Sequence, residues 1–141
     1  MQEFTDRVAV ITGGASGIGL GMCRAFAQRG MKLVIADLDD SALERVVADF
    51  KAQGVEAVGA RCDVSKLDQV EALAATALDA FGGVHVMCNN AGVGIPTSAR
   101  NMKLDDWEWI LNVDLWGPIY GVKVFLPLIE AQGEGHINAT S

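Results

Sequence analysis

The chain predicts a doubly wound α/β fold with a parallel sheet in the strand order 3-2-1-4-5, and three observations carry that expectation. Short apolar, β-branched runs alternate with helix-patterned stretches from the first residues onward. The runs are continuously apolar rather than alternating, as in strands covered on both faces. The residues able to hold a ligand follow directly after these runs, at the carboxyl ends of strands where such sheets bind ligands.

The elements follow in order. Strand 1 is expected over 7–12 (Arg-Val-Ala-Val-Ile-Thr), and a helix over 17–29 has Leu20, Cys23 and Ala27 on its apolar face. Strand 2 covers 32–36, ahead of Asp37, and a helix over 40–53 buries Leu43, Val46, Val47 and Phe50. Strand 3 covers 55–60, followed by a helix over 66–81 with Leu67, Val70, Leu73 and Leu78 as its apolar positions. Strand 4 covers 84–88, a loop runs from Asn89 to Lys103, one long helix covers 105–131, and strand 5 begins near Gly135. Right-handed crossovers between parallel neighbours then give the strand order, with its reversal between strands 1 and 4.

Composition bounds the function. The 141 residues suit one domain, 50% apolar and 21% charged, an ordinary balance for a packed globular chain. A net charge of −7 argues against nucleic acid or an anionic membrane as partner. No apolar run approaches the roughly 18 residues of a membrane span. Residues 1–6 show no basic stretch leading into an apolar core, so a cytoplasmic location is the expectation. Without an export signal, the glycosylation pattern Asn138-Ala139-Thr140 carries no weight. Cys23, Cys62 and Cys88 match no metal or redox spacing, no metal is expected, and Cys23 and Cys88 read as buried filler.

The richest stretch is Thr12-Gly13-Gly14-Ala15-Ser16-Gly17-Ile18-Gly19, a glycine-spaced turn between strand and helix. Gly13 allows a sharp turn, Gly17 allows backbone to approach a ligand, and Gly19 allows the helix to lie close to the strand. The bare N–H groups and positive dipole end of the helix then face an anion such as a pyrophosphate. Asp37, about 20 residues on, is placed to accept from a ribose hydroxyl. Asp63-Val64 follows strand 3, where an acid can accept from an adenine amino group or cap a helix. Asn89-Asn90-Ala91-Gly92 follows strand 4; its small residues leave room for a ribose and its amides can tie strand ends together.

In combination and order, these three segments resemble the short-chain dehydrogenase/reductase family. The resemblance implies an NAD(P)-binding Rossmann-type domain over 1–141 and hydride transfer between a nicotinamide and a small-molecule alcohol or carbonyl compound. Its cofactor residues would be Gly13, Ser16, Gly17, Ile18, Gly19, Asp37, Asp63, Val64, Asn90, Ala91 and Gly92. NAD is expected over NADP: Asp37 repels a 2′-phosphate, and Ser16 and Leu38 stand where NADP-binding members tend to carry a basic residue. Related enzymes commonly pair the long helix across a subunit interface, which implies a homo-oligomer through 105–131. Trp109 and Trp116, seven residues apart, are expected on one face of that helix, packed against the sheet or a neighbouring subunit.

Three departures bear on catalysis, which in the family uses Asn, Ser, Tyr and Lys. No Tyr-x-x-x-Lys occurs: Tyr120 precedes Lys123 by three residues and lies upstream of the Ser position, so both read as helix-face residues. Asp114 occupies the relay Asn position in Val113-Asp114-Leu115-Trp116-Gly117, and Pro118 withholds an N–H from its carbonyl, so Asp114 is expected to work through its main chain or to be a solvated acid. Ser141 is the candidate for contact with the substrate oxygen, with Thr140 as alternative, at the end of a strand one residue shorter than usual. The family fold continues through further strands and helices bearing the Tyr-Lys pair, so the sheet is expected to stop short after strand 5. Two functions follow: the cofactor half of an NAD-dependent dehydrogenase or reductase, or a non-catalytic dinucleotide-binding or interaction module.

Overall fold

A computed structural model describes residue 1 and residues 3–141. The chain runs β1 (Val8–Thr12), α1 (Gly17–Ala27), β2 (Lys32–Asp37), α2 (Asp40–Ala52), β3 (Ala57–Arg61), α3 (Leu67–Phe81), β4 (Val86–Asn89), α4 (Leu104–Leu111), a π turn (Asn112–Trp116), α5 (Gly117–Gln132) and β5 (His136–Ala139). The five strands form one parallel sheet in the order β3-β2-β1-β4-β5. The fold class and strand order are as the sequence predicts.

Each central strand is buried because both its faces are covered. In β1, Val8 and Val10 join the core beneath α3 and α5, with Val34, Leu73, Met87 and Phe125. Ala9 and Ile11 point the other way, into the core beneath α1 and α2, with Cys23, Leu33, Ile35 and Phe50. Successive residues serving opposite cores explain the unbroken apolar runs. In α3 the buried positions are Val70, Leu73, Ala74 and Ala77. Leu78 departs from the apolar face assigned to it: the inward stripe runs through Ala77, and Leu78 is 39% exposed.

The expected single helix over 105–131 is two helices joined by the π turn. A π turn adds one residue to a helical circuit and leaves the chain helical on both sides, so apolar periodicity carries no sign of it. It shifts the helical register, so a seven-residue spacing no longer superposes side chains. Trp109 lines the crevice described below. Trp116 sits against Tyr120, ring centroids 5.7 Å apart. Trp107, Trp109 and Trp116 are 43%, 47% and 46% exposed, so the sheet, one of the two expected packing partners, does not cover them.

At the opposite end of the sheet from the carboxyl ends, polar groups close the structure. His85 Nδ1 accepts the Val8 N–H at 3.1 Å, and Arg7 pairs with Glu134. Gln132 spans to the Val84 backbone, accepting its N–H at 3.3 Å and donating to its carbonyl at 3.0 Å. Among the described residues no helix is long and apolar enough to cross a membrane, and no group of His, Cys, Asp and Glu has metal-binding proximity.

Candidate functional site

A crevice of about 460 Å³ opens at the carboxyl ends of the strands, across the β1–β4 reversal. That volume lies within the roughly 300–1,000 Å³ usual for small-molecule and cofactor sites. Ten of the eleven cofactor candidates line it: Gly13, Ser16, Gly17, Ile18, Asp37, Asp63, Val64, Asn90, Ala91 and Gly92. Gly19 lies buried beneath.

The glycine turn has steric reasons for its composition. Gly13 and Gly17 adopt φ of 64° and 53°, a region that disfavours side chains. Gly19 has no room for one: a Cβ there would stand 2.1 Å from the Gly13 carbonyl oxygen and 2.6 Å from Asn90 Nδ2. The start of α1 is electrostatically bare. Ser16 makes no side-chain cap and the first turn holds no acid. The helices elsewhere that emerge from loops differ. In α2, Asp39 accepts the Ala42 N–H at 2.9 Å. Asp68 stands in the first turn of α3, and before α4 the Asp106 carboxylate accepts the Lys103 N–H at 3.0 Å.

Asp37 is tied into this turn. Its Oδ2 accepts the Ala15 N–H at 3.0 Å and its Oδ1 the Asp39 N–H at 3.1 Å. A carboxylate oxygen accepts two hydrogen bonds, so each keeps capacity toward the crevice. Asp63 closes the entry to α3: Oδ1 accepts the Ser65 N–H at 3.0 Å and the Ser65 hydroxyl at 2.6 Å. It shapes the turn ahead of α3 without capping the helix, whose N-cap Lys66 carries no side-chain cap bond, and it also lines the crevice. The lining carries the acids Asp37 and Asp63 and no Lys, Arg or His. Arg61, beside Asp37 in the sheet register, is paired with Asp40 at 3.4 Å.

Asn89-Asn90-Ala91-Gly92 is a structural knot. Thr12 Oγ1 donates to the Cys88 carbonyl at 3.2 Å and accepts the N–H groups of Asn90 at 3.0 Å and Ala91 at 3.1 Å. Asn89 Nδ2 bridges to the Asn138 carbonyl on β5 at 3.3 Å. Thr12 did not stand out as a site residue in the sequence; the signal available is its place directly before Gly13.

The two catalytic candidates fall differently. Asp114 sits exposed on the π turn, and its Oδ1 accepts the Val93 N–H at 2.8 Å, so the acid is solvated but tied to the loop after β4. This bond holds the start of the loop after β4 against the helix. Ser141 is exposed and does not line the crevice, whereas Thr140 does. Leu38, already marked in the sequence for the cofactor choice, lines it too, with Val93 from the loop after β4; Cys62, Ser65 and Val113 complete the lining without having been expected there. Burial pushes the Cys62 thiol up to about 11, helped by Asp63 and Asp68, so it stays protonated and unreactive.

A model of the short chain dehydrogenase family matches residues 7–141. The chain belongs to that family. It is 46% identical to a short chain dehydrogenase/reductase from Burkholderia phymatum, solved in complex with NAD, with a TM-score of 0.97 over 100% of this chain and 50% of that one. It is 37% identical to a C alpha-dehydrogenase of a Sphingobium species, covering 100% of this chain and 47% of the relative. It is 34% identical to a CLA biosynthesis dehydrogenase/reductase of Lactiplantibacillus plantarum, covering 94% of this chain and 46% of the relative. The chain thus spans about half the length of the curated relatives it matches.

Proposed function

We propose that residues 1–141 form the NAD-binding domain of an oxidoreductase that moves hydride between the nicotinamide and a small alcohol or ketone. The observation that carries this reading is the bare N-terminus of α1 opening onto the same crevice as the Asp37 carboxylate. Open space above Gly17, where a Cβ would meet nothing within 4 Å, fits backbone approach by a phosphate. NAD bound to the Burkholderia phymatum relative, at 46% identity, supports the same choice.

In this reading the first N–H groups of α1 hold the pyrophosphate and Asp37 accepts from the adenosine ribose hydroxyls. Asp63 and Val64 border the adenine, and Asn90, Ala91 and Gly92 leave room for the second ribose. The nicotinamide, when bound, supplies or accepts the hydride. Ser141, two residues past β5 and outside the crevice lining, is assigned to the substrate oxygen by its place in the family pattern alone, and the Asp114 main chain to a relay water. The wide turn around Asp114 and the missing N–H of Pro118 favour a carbonyl free for that role. Half-exposed Trp107, Leu111, Leu115, Trp116 and Val122 support a homo-oligomer formed through α4 and α5. A cytoplasmic location belongs to the same reading.

Fluorescence titration of the full-length protein tests it. NADH is expected to bind at least about tenfold more tightly than NADPH, equivalent to ~1.4 kcal/mol. Asp37→Ser is expected to weaken NADH binding and narrow that gap. Turnover of a panel of ketones and alcohols completes the test. Binding of neither nicotinamide cofactor sinks the proposal. Binding without turnover favours a non-catalytic dinucleotide module.

A further inference from the structure

The hydroxyl of Thr140 is committed within the protein. Its Oγ1 donates to Asn90 Oδ1 at 2.9 Å, and its N–H donates to the Asn89 carbonyl at 3.0 Å. The same Asn90 amide donates from Nδ2 to the Thr12 carbonyl at 3.2 Å and the Gly13 carbonyl at 3.4 Å. These contacts set the amide's orientation. Two backbone carbonyls require the nitrogen on the β1 side, and the oxygen then faces the chain after β5, where the exposed Thr140 hydroxyl donates to it. The amide nitrogen is also wedged between the two motif glycines. A Cβ on Gly13 would lie 3.2 Å from it, and one on Gly19 would lie 2.6 Å from it. A rotation of the Asn90 side chain therefore breaks its bonds to the carbonyls at the head of the glycine turn.

We propose that Thr140 is a positioning residue for the dinucleotide. Through Asn90 it couples the end of β5, where substrate is expected, to the glycine turn before α1. The consequence for cofactor binding rests on the NAD-binding reading above; the coupling itself does not. Thr140→Val removes the hydroxyl at nearly constant shape and leaves Asn90 Oδ1 without its donor. Thr140→Ser restores the donor.

The test uses the full-length protein and two readouts. Hydrogen exchange at residues 12–19 is expected to accelerate in Thr140→Val, with β2 and β3 unchanged, and to return to the wild-type rate in Thr140→Ser. NADH affinity is expected to fall about two- to tenfold in Thr140→Val, the range of one neutral hydrogen bond, and to recover in Thr140→Ser. A general structural role is excluded by a local exchange effect that the serine variant rescues. Unchanged exchange at 12–19 in Thr140→Val overturns the inference, as does an equal rise throughout the sheet. Wild-type protein that shows the local coupling but binds no NADH overturns the functional reading and leaves the positioning role standing.

Discussion

Asn89 and Gly121 illustrate how one atom decides a residue. Asn89 is 5% exposed and its amide bridges β4 to the Asn138 carbonyl on β5. That amide lies against bare helix backbone: a Cβ on Gly121 would stand 1.9 Å from Asn89 Oδ1. Gly121→Ala is expected to displace the amide and destabilise the fold by about 1–3 kcal/mol, the usual cost of overpacking. Urea denaturation checks this. In an Asn89→Ala background the cost of Gly121→Ala is expected to be much smaller, because the clashing atom is gone. Equal costs in both backgrounds defeat the explanation.

At the scale of elements, the π turn organises the side of the crevice formed by the loop after β4. It carries Asp114 to the Val93 N–H at 2.8 Å, pinning the start of that loop. Gly92 lies inside this contact, its would-be Cβ 3.4 Å from Asp114 Oδ1. Asp114→Ala is expected to accelerate hydrogen exchange across residues 93–103 and to cost about 0.5–1.5 kcal/mol. Asp114→Asn keeps an acceptor oxygen and is expected to preserve the wild-type exchange pattern. If both variants exchange alike, the carboxylate bond is not what holds the loop.

The whole molecule should feel pH through the polar closure beneath the sheet. Burial holds the His85 imidazole below its ordinary pKa and the neighbouring Arg7 adds to this, with Glu134 opposing. Neutral His85 accepts the Val8 N–H at Nδ1, a bond its protonated form would lose. The folded state therefore refuses a proton that the unfolded chain accepts near pH ~6.5. The stabilising contribution is complete above that value and is lost as pH falls through the lower folded pKa. Urea midpoints between about pH 7.5 and 5.5 are expected to fall in the wild type. The fall should be shallower in His85→Asn, which keeps an acceptor near the Nδ1 position and does not titrate. Parallel profiles would remove His85 as the cause.

The strand order, the glycine turn and the acid at the end of β2 were legible in the residues because each has a local cause. Apolar runs report burial on both faces, and a turn at φ 64° leaves its glycine in the chain for all to see. The break in the long helix was not legible, since a π turn preserves helical periodicity on either side of one inserted residue. Nor were the partners of Asn90, Asn89 and His85. Thr140 reaches Asn90 from 50 positions away, and His85 meets Val8 across 77. Such contacts exist only once the sheet has brought distant segments side by side. Thr140 lines the crevice only because folding lays the chain after β5 beside Asn89 and Asn90.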